Sequence, residues 1–259
     1  MVKNILGKLF SIWGGLMFIG TMLIVLIPAW AIGLIKEPKR TAWFIQICRF
    51  WMDLFYPLAG IRLDIKGKEH FEKNKNYIVA CNHNSLIDVT ITSPRIPGAN
   101  KTIAKIEMSK IPLFGIIYKR GSILLDRKSE TSRKESYQQM KWVLDHGMHM
   151  CIYPEGTRNK TNDPLKSFHD GAFRLSFETG KAIIPAVIQG TKEMLPSDKA
   201  FFFWPGKVHM KFLPPVEPTQ FNHYTEMKQY VFELMWSEID RMSGTLDVRR
   251  ERLDSRREM

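Results

Sequence analysis

The sequence is poor in cysteine, and its cysteines follow no pattern typical of a bridged or metal-bound fold. The three that occur are scattered along the chain and odd in number: Cys48, Cys81 and Cys151. A disulfide framework is therefore not expected, and a reducing compartment fits this usage. The sequence also lacks the Cys/His spacing of zinc sites and the aromatic signature of RNA-binding domains. It contains no internal repeat, which argues against a solenoid.

Charge is missing from one long stretch near the N-terminus. No charged residue occurs between Leu9 and Ile35, although basic residues flank both ends. As a helix this stretch would span about 40 Å, against about 30 Å for a hydrocarbon core. Two membrane arrangements remain open: one tilted transmembrane helix, or a re-entrant hairpin bent around Pro28. A signal peptide cleaved after Ala29-Trp30-Ala31 fits less well because the apolar region is too long, and a buried core helix is weaker still.

Acidic residues are too few to balance the basic ones. The 38 lysines and arginines outnumber the 26 acidic residues, which gives a net charge of +12. Such a surface favours anionic partners: phospholipid head groups, phosphorylated substrates or nucleic acid. The apolar N-terminus suits a lipid partner and does not suit nucleic acid. At 259 residues and 44% hydrophobic content, the chain can still form one domain with a sizeable core.

A second membrane-related segment runs from Thr41 to Gly60 and is rich in aromatic residues. Because tryptophan and tyrosine favour the membrane–water interface, it predicts an interfacial helix that stops before Pro57. The same helix can pack its other face on the domain core. We therefore expect three parts: N-terminal membrane-inserted and interfacial helices (1–60), an α/β domain (61–242) and a charged tail (243–259), either a frayed helix or disordered.

From residue 61 onward, short apolar strands alternate with amphipathic helices. Three helices are predicted: one opened by a capping box at Ser132–Glu135 and running to about His146, and two more at 170–179 and 221–242. The strands are predicted at 61–65, 77–81, 101–105, 122–125, 148–153, 182–188 and, as an edge strand, 208–212. This alternation is typical of a layered α/β domain with a mostly parallel sheet flanked by helices.

The strand at 77–81 leads directly into Asn82-His83-Asn84-Ser85-Leu86-Ile87-Asp88. Reactive groups collect at the carboxyl ends of strands in such sheets. A turn would bring the Asp88 carboxylate, in the first turn of the next helix, to the ring of His83. The carboxylate would fix the tautomer and leave the other ring nitrogen as a base. A hydrogen-bonded turn pair without catalysis is the alternative.

Two further segments carry basic side chains at predicted strand ends. Tyr153-Pro154-Glu155-Gly156-Thr157-Arg158 combines a glycine, a hydroxyl and a guanidinium, which suits a phosphate. Glu155 is expected to orient Arg158. Arg127, at the end of Gly121–Arg127, is expected beside them, whereas Arg120 lies at the far end of that strand. An ordinary turn and a solvated rim of charge are the structural alternatives.

Four segments resemble the motifs of the glycerolipid acyltransferase family, in order and spacing, and in particular its 1-acyl-sn-glycerol-3-phosphate acyltransferases. These segments are Asn82–Asp88, Gly121–Arg127, Tyr153–Arg158 and Ile184–Ile188. The resemblance extends from about Ile61 to Leu213, and the combination is far more specific than any one motif. One departure is Asn84, where this group usually has glutamine, and that position bears on the choice of acceptor.

The resemblance implies transfer of an acyl chain from acyl-CoA or acyl-carrier protein to the sn-2 hydroxyl of lysophosphatidate. His83 would be the general base and Asp88 its partner. The acceptor phosphate would be held by Lys105, Arg127, Glu155, Gly156, Thr157 and Arg158. It implies no cofactor beyond the acyl donor and no metal. Since that donor is cytosolic, the domain would face the cytoplasm from a membrane.

Two other functions stay open from the sequence. One is an acyltransferase for another lyso-lipid acceptor, and the other is a non-catalytic membrane protein that binds lipid. Acyl-chain length, the identity of the thioester carrier and the oligomeric state are not specified by the sequence.

Overall fold

The computed structural model describes residues 2–254, with side-chain surroundings for residues 2–244. The α-helices are α1 (Val2–Ala31), α2 (Lys39–Leu58), α3 (Asp88–Arg95), α4 (Phe114–Gly121), α5 (Glu130–Asp145), α6 (Gly171–Thr179), α7 (Thr191–Met194) and α8 (Tyr224–Asp254). The strands are β1 (Ile61–Lys66), β2 (Ile78–Cys81), β3 (Asn100–Lys105), β4 (Ser122–Leu125), β5 (His149–Ile152), β6 (Ile183–Gln189) and β7 (Gly206–Phe212).

The strands form one sheet in the order β1-β7-β6-β2-β5-β3-β4. All neighbours are parallel except β6 and β7, so β1 and β7 run against the other five. The predicted layered, mostly parallel α/β fold is confirmed. The prediction of an edge strand at 208–212 is wrong, because β7 lies between β1 and β6. Its alternation arises from a strand with one well-covered face, which sequence cannot distinguish from an edge.

Side chains of the central strands alternate between two hydrophobic layers. Val79 and Cys81 of β2 point into the layer covered by α1, α2 and α3. Ile78 and Ala80 point into the layer covered by α5, α6 and α8. Every residue of β2 is fully buried, as expected of a parallel strand with helices on both faces. The carboxyl end of β2 is therefore fixed from both sides.

Helices α1 and α2 form an antiparallel pair, here called the helical hairpin (residues 2–58). The Trp13 indole donates to the Leu58 carbonyl oxygen at 2.8 Å, and the Trp51 indole donates to the Thr21 hydroxyl at 2.9 Å. Helix α1 continues through Pro28, and the chain reverses at residues 32–38. Of the two arrangements that the sequence leaves open, a bend at Pro28 is not found. The predicted stop before Pro57 is wrong, because the packed last turn of α2 tolerates that proline.

Much of the helical hairpin presents apolar side chains to the outside. One helical stretch in the described chain, Val2–Leu34, is long and apolar enough to cross a membrane. Large side chains along it are exposed, among them Leu9, Ile12, Leu16 and Ile27. The opposite side of α1 packs on α2 through Phe18, whose ring centroid lies 4.9 Å from that of Trp51. The hairpin therefore has one packed face and one apolar, uncovered face.

Two helix boundaries differ from the sequence prediction. Helix α5 begins at Glu130, and the Ser129 hydroxyl accepts from the Ser132 amide at 3.1 Å. The N-cap is thus Ser129 and not Ser132, because both serines offer the same capping chemistry. The last helix starts three residues later than predicted, at Tyr224, and continues through residues 243–254 of the predicted tail. Residues 255–259 of that tail lie outside the described residues.

A half-buried ion cluster ties the helical hairpin to the sheet. Glu37, in the connection between α1 and α2, pairs with Arg40 at 2.9 Å and with Lys101 of β3 at 3.0 Å. It also accepts from the Thr41 amide and hydroxyl, at 3.0 and 2.7 Å. Burial by itself raises the pKa of Glu37, but the hydrogen bonds from Thr41, Lys101 and Arg40 and the charge of Lys101 outweigh it and lower the pKa to about 2. The carboxylate is therefore stabilised in its charged form.

We expect Glu37→Gln to lower the free energy of unfolding by up to about 3 kcal/mol at pH 7, since one pKa unit corresponds to about 1.4 kcal/mol. Because the folded pKa lies below the ordinary value, this contribution is present above about pH 4.5. It is lost as pH falls toward 2. Thermal unfolding in detergent at several pH values measures both effects.

The matched control is Glu69→Gln, which neutralises an exposed glutamate outside the cluster. It should leave the unfolding temperature unchanged. A Glu37→Gln protein as stable as the wild type at pH 7 would contradict a stabilising role for this cluster.

Candidate active site

The centre of the site is the loop between β2 and α3. The Asn82 side chain fixes its start: its amide donates to the Ile188 carbonyl oxygen at 3.0 Å, and its oxygen accepts from the Ile188 amide at 2.8 Å. Asn82 thus extends the pairing of β2 with β6 by one residue. His83 follows at once, and Asp88 opens α3. The structure therefore places both residues at the carboxyl edge of the central strand, where the sequence predicts them.

His83 and Asp88 form a hydrogen-bonded pair. The Nδ1 atom of His83 lies 2.9 Å from Oδ2 of Asp88. The same oxygen accepts from the backbone amides of Asn84, at 2.6 Å, and Ser85, at 2.7 Å. Because the carboxylate is the acceptor, Nδ1 of His83 is the donor, and Nε2 carries the free lone pair. Asp88 is fully buried, whereas 17% of the His83 side chain is exposed, so the ring can meet a ligand.

The first residue after β5 supports the other side of the imidazole. The ring of Tyr153 packs on that of His83 with centroids 4.5 Å apart and an angle of 35°. Tyr153 is reached from β5, which neighbours β2 in the sheet. The imidazole is therefore held between a carboxylate on α3 and an aromatic ring directly after β5. This contact restricts rotation of the imidazole, whereas a histidine free on the surface would rotate.

The turn after Tyr153 is hydrogen-bonded to the main chain of His83 on both sides. Glu155 Oε1 accepts from the His83 amide at 2.7 Å, and the Asn159 amide donates to the His83 carbonyl oxygen at 2.6 Å. The other oxygen of Glu155 accepts from the Lys166 amide at 2.9 Å. Loss of water raises the pKa of Glu155, although the two amide hydrogen bonds act in the opposite direction. Glu155 thus joins the main chain at His83 to the main chain at Lys166, and we call this pair of hydrogen bonds the clamp.

This structural role of Glu155 differs from the predicted one, in which Glu155 orients Arg158 and helps to hold a phosphate. The expected pairing of Glu155 with Arg158 is not found among the described residues, because both carboxylate oxygens are occupied by amides. Arg158 is half-buried and remains available to a ligand. A carboxylate three residues before an arginine suggests an ion pair, and only the fold shows that the carboxylate turns inward.

Gly156 and Thr157 form the tip of the same turn. Gly156 has φ of +69°, and a Cβ there would lie 2.6 Å from Cδ2 of His169. Both the backbone conformation and the neighbouring ring therefore require glycine. Thr157 is exposed, and its hydroxyl accepts from the Lys166 ammonium at 2.7 Å. The predicted group Gly156, Thr157 and Arg158 thus lies beside His83.

Arg127 and Lys105 lie further along the same edge of the sheet. Lys105 ends β3, with β5 between it and β2, and Arg127 follows β4, the outermost strand. At about 4.8 Å per strand, β4 is roughly 14 Å from β2. Both side chains are exposed. The structure brings them to the predicted edge without contact to His83, and their phosphate-binding role stays a prediction.

A large apolar cavity adjoins the loop that carries His83 and the helix that Asp88 opens. It has a volume of about 420 Å³ and lies between the helical hairpin and helices α3 and α4. Leu86 and Ile87, which follow His83 in the same loop, line one end of it. Its other apolar lining includes Phe18, Trp51, Phe55 and Phe114. A cavity of this size and lining suits a hydrocarbon chain. Within the described chain, no group of three metal-ligating side chains occurs.

Two residues of the site are missed by the sequence analysis. Asn159 is fully buried, and its side chain bonds Thr161 and Asp163 to shape the loop after the turn. Its position directly after the turn motif is the one feature of the sequence that points to it. Lys166 contributes through its amide and ammonium, and no motif marks it. Both act from a loop whose return to His83 only the tertiary structure shows.

The comparisons with known proteins agree with this site. Residues 62–189 match the family model described as Acyltransferase. Residues 62–189 therefore belong to this acyltransferase family, which confirms the resemblance seen in the motifs.

Its relatives and a solved structure are consistent with that family. The chain is similar to a 1-acyl-sn-glycerol-3-phosphate acyltransferase of Cocos nucifera, at 31% identity over 66% of this chain and 56% of that protein. It is also similar to the enzyme of that name in Haemophilus influenzae, at 26% identity over 77% of this chain and 82% of that protein. The chain spans little more than half of the Cocos nucifera relative. The fold matches the crystal structure of the lysophosphatidate acyltransferase PlsC of Thermotoga maritima, with a TM-score of 0.75 and 24% identity, covering 93% of this chain and 97% of that one.

We expect Glu155→Gln to loosen the loop that carries His83. Glutamine has one acceptor oxygen, so one of the two amides loses its partner, and a buried unpaired donor costs about 1–3 kcal/mol. Thermal unfolding should therefore occur a few degrees lower, by roughly 2–4 °C per kcal/mol. Glu135→Gln, an exposed change on α5, is the matched control. Equal unfolding temperatures for both variants would contradict the clamp.

Proposed function

We propose that the protein transfers an acyl chain from an acyl thioester to the sn-2 hydroxyl of lysophosphatidate, giving phosphatidate. The observation that carries this proposal is the hydrogen bond between His83 Nδ1 and Asp88 Oδ2, at 2.9 Å, in a segment that also lines a large apolar cavity. The names of the relatives support the acceptor. The family membership supports acyl transfer. The donor we propose is acyl-CoA or acyl-carrier protein, as a co-substrate.

His83 acts as the general base in this proposal. Its Nε2 lone pair takes the proton of the sn-2 hydroxyl while the oxygen attacks the thioester carbonyl carbon. The tetrahedral intermediate then collapses, the C–S bond breaks, and the leaving sulfur receives the proton from Nε2. Asp88 stabilises the imidazolium through the Nδ1 hydrogen bond. No acyl-enzyme forms, and the three buried free cysteines take no part.

We assign the cavity and the turn to different parts of the substrates. We assign the apolar cavity to an acyl chain, because its lining is aromatic and aliphatic. We assign the acceptor phosphate to Gly156, Thr157 and Arg158, which lie on the turn clamped to His83. Arg127 and Lys105 add positive charge further along that edge. A carboxylate–imidazole pair between an apolar cavity and a cationic turn suits a substrate with a long chain and a phosphate.

The uncovered apolar face of the helical hairpin supports membrane attachment. We propose that the hairpin holds the active edge against the cytoplasmic surface of a membrane, where the lipid acceptor and the water-soluble donor meet. The net charge of +12 favours anionic lipid at that surface.

We expect His83→Ala to lower kcat by roughly 10²–10⁴-fold, the usual contribution of general-base help. Release of free thiol from acyl-CoA in detergent, with lysophosphatidate as acceptor, measures the rate. His146→Ala, an exposed histidine at the end of α5, should retain wild-type rates. Unchanged transfer by a folded His83→Ala protein would rule out this mechanism. A panel of lyso-acceptors in the same assay tests the acceptor, since equal rates without the phosphate would favour another lyso-lipid.

We expect Gly15→Leu to shift acyl-donor preference toward shorter chains. Gly15 lines the cavity, and a Cβ there would meet no atom within 4 Å, so the side chain can enter the cavity without disturbing the helix. Gly20→Leu is the matched control, because it too is unobstructed and lies on α1 outside the cavity lining. Rates over a series of acyl-CoA lengths compare the variants. Identical length profiles for Gly15→Leu and the wild type would show that no acyl chain reaches this part of the cavity.

A further inference from the structure

Lys166 lies at the candidate site but belongs to none of the motifs. It sits in the loop before α6, and its amide donates to Glu155 Oε2 at 2.9 Å. Its ammonium donates to the Thr157 hydroxyl at 2.7 Å. Main chain and side chain of Lys166 thus attach to two different residues of one turn. This double attachment holds the ammonium at the turn tip.

The hydrogen bond to Thr157 fixes the direction of that hydroxyl. An ammonium can only donate, so the Thr157 oxygen is the acceptor in this contact. The single hydroxyl proton is then free to point away from Lys166. The ammonium itself retains two further donors. Lys166 and Thr157 together therefore present up to three N–H or O–H groups to a ligand at the turn tip.

The charges around this turn are unbalanced. None of Arg158, Lys160, Lys166 and Lys192 forms an ion pair within the described part of the chain. The nearby carboxylate, Glu155, is 2% exposed and occupied by two amides. Elsewhere lysines are paired, as Lys101 is with Glu37 and Lys228 with Asp170. Asp163, an exposed carboxylate in the same loop, forms no ion pair within the described residues either, so these cations stay available to a ligand.

The turn tip is also held close to His83. Glu155 and Asn159 both bond to the His83 main chain, and Thr157 is two residues from each. Two residues of chain span at most about 7 Å. In a 1-acyl-glycerol 3-phosphate, two carbons and one oxygen separate the sn-2 oxygen from the phosphorus. The short span between hydroxyl and phosphate in this acceptor therefore matches the short stretch of chain between the His83 contacts and the turn tip.

We infer that Lys166 is a binding residue for the phosphomonoester of the acceptor and that it orients Thr157 toward the same phosphate. This inference rests on the proposed function and names the part of the substrate that the site selects. A dianionic phosphate accepts from the ammonium, the hydroxyl and the Arg158 guanidinium at once. The competing source of phosphate is the coenzyme A of the donor.

The test compares Lys166→Gln with the wild type on acceptors with and without phosphate. We expect the KM for lysophosphatidate to rise roughly tenfold or more, as for loss of a hydrogen bond to a charged group, with a smaller change in kcat. The KM for acyl-CoA should stay within twofold. Turnover of 1-monoacylglycerol should not change, since the Lys166 amide still holds Glu155. Inhibition by hexadecyl phosphate, which has no hydroxyl to acylate, should weaken by the same factor as the KM rises.

Two variants complete the design. Lys160→Gln removes the same charge from an exposed lysine with no polar contact among the described residues and should raise the KM less than twofold. Thr157→Val should also raise the KM for lysophosphatidate, and its effect should not add fully to that of Lys166→Gln.

Three outcomes would overturn the inference. They are an equal loss on phosphate-bearing and phosphate-free acceptors, a rise in the KM for acyl-CoA instead, and unchanged inhibition by hexadecyl phosphate. Each can occur while His83→Ala still abolishes transfer, so failure here is distinct from failure of the proposed reaction.

Discussion

The site depends on two buried carboxylates whose hydrogen bonds come mainly from backbone amides. Asp88 accepts from Asn84, Ser85 and the His83 ring, and Glu155 accepts from His83 and Lys166. Burying a carboxylate is costly unless hydrogen bonds compensate. Because amides supply most of these bonds, the neighbouring cations are not consumed in ion pairs. The same interactions that fix His83 therefore leave Arg158 and Lys166 free for an anion.

The cluster at Glu37 uses the opposite arrangement. There the two cations Arg40 and Lys101 are bonded directly to the carboxylate of Glu37. Because these cations are engaged by a carboxylate of the protein, the cluster serves to join two parts of the fold. The comparison shows that cation count alone does not locate a phosphate site in a basic chain. What matters is whether nearby carboxylates are bonded to amides or to the cations themselves.

Sequence patterns predict the strands, most helices and the pairing of His83 with Asp88, because these depend on local periodicity and on one short loop. They fail where the outcome depends on residues far along the chain. The position of β7 inside the sheet is set by its pairing with β1, which no local pattern specifies. Likewise, Glu155 turns inward because the amides of His83 and Lys166 meet there. Pro28 stays in α1 because packing with α2 outweighs one lost hydrogen bond.

The apolar cavity lies between the helical hairpin, which includes Glu37, and helix α3, which includes Asp88. The helical hairpin forms one side of it, and α3, which begins with Asp88, forms the other. If the cavity holds the acyl chain, then the position of the hairpin sets where that chain lies relative to His83. A displaced hairpin would misplace the chain while leaving the hydrogen bond between His83 and Asp88 intact. An ion cluster at Glu37 is directional, whereas apolar packing allows sliding, and the desolvation cost of such a cluster is compensated only in good geometry. Its value to this protein therefore lies as much in fixing the hairpin on β3 as in stability.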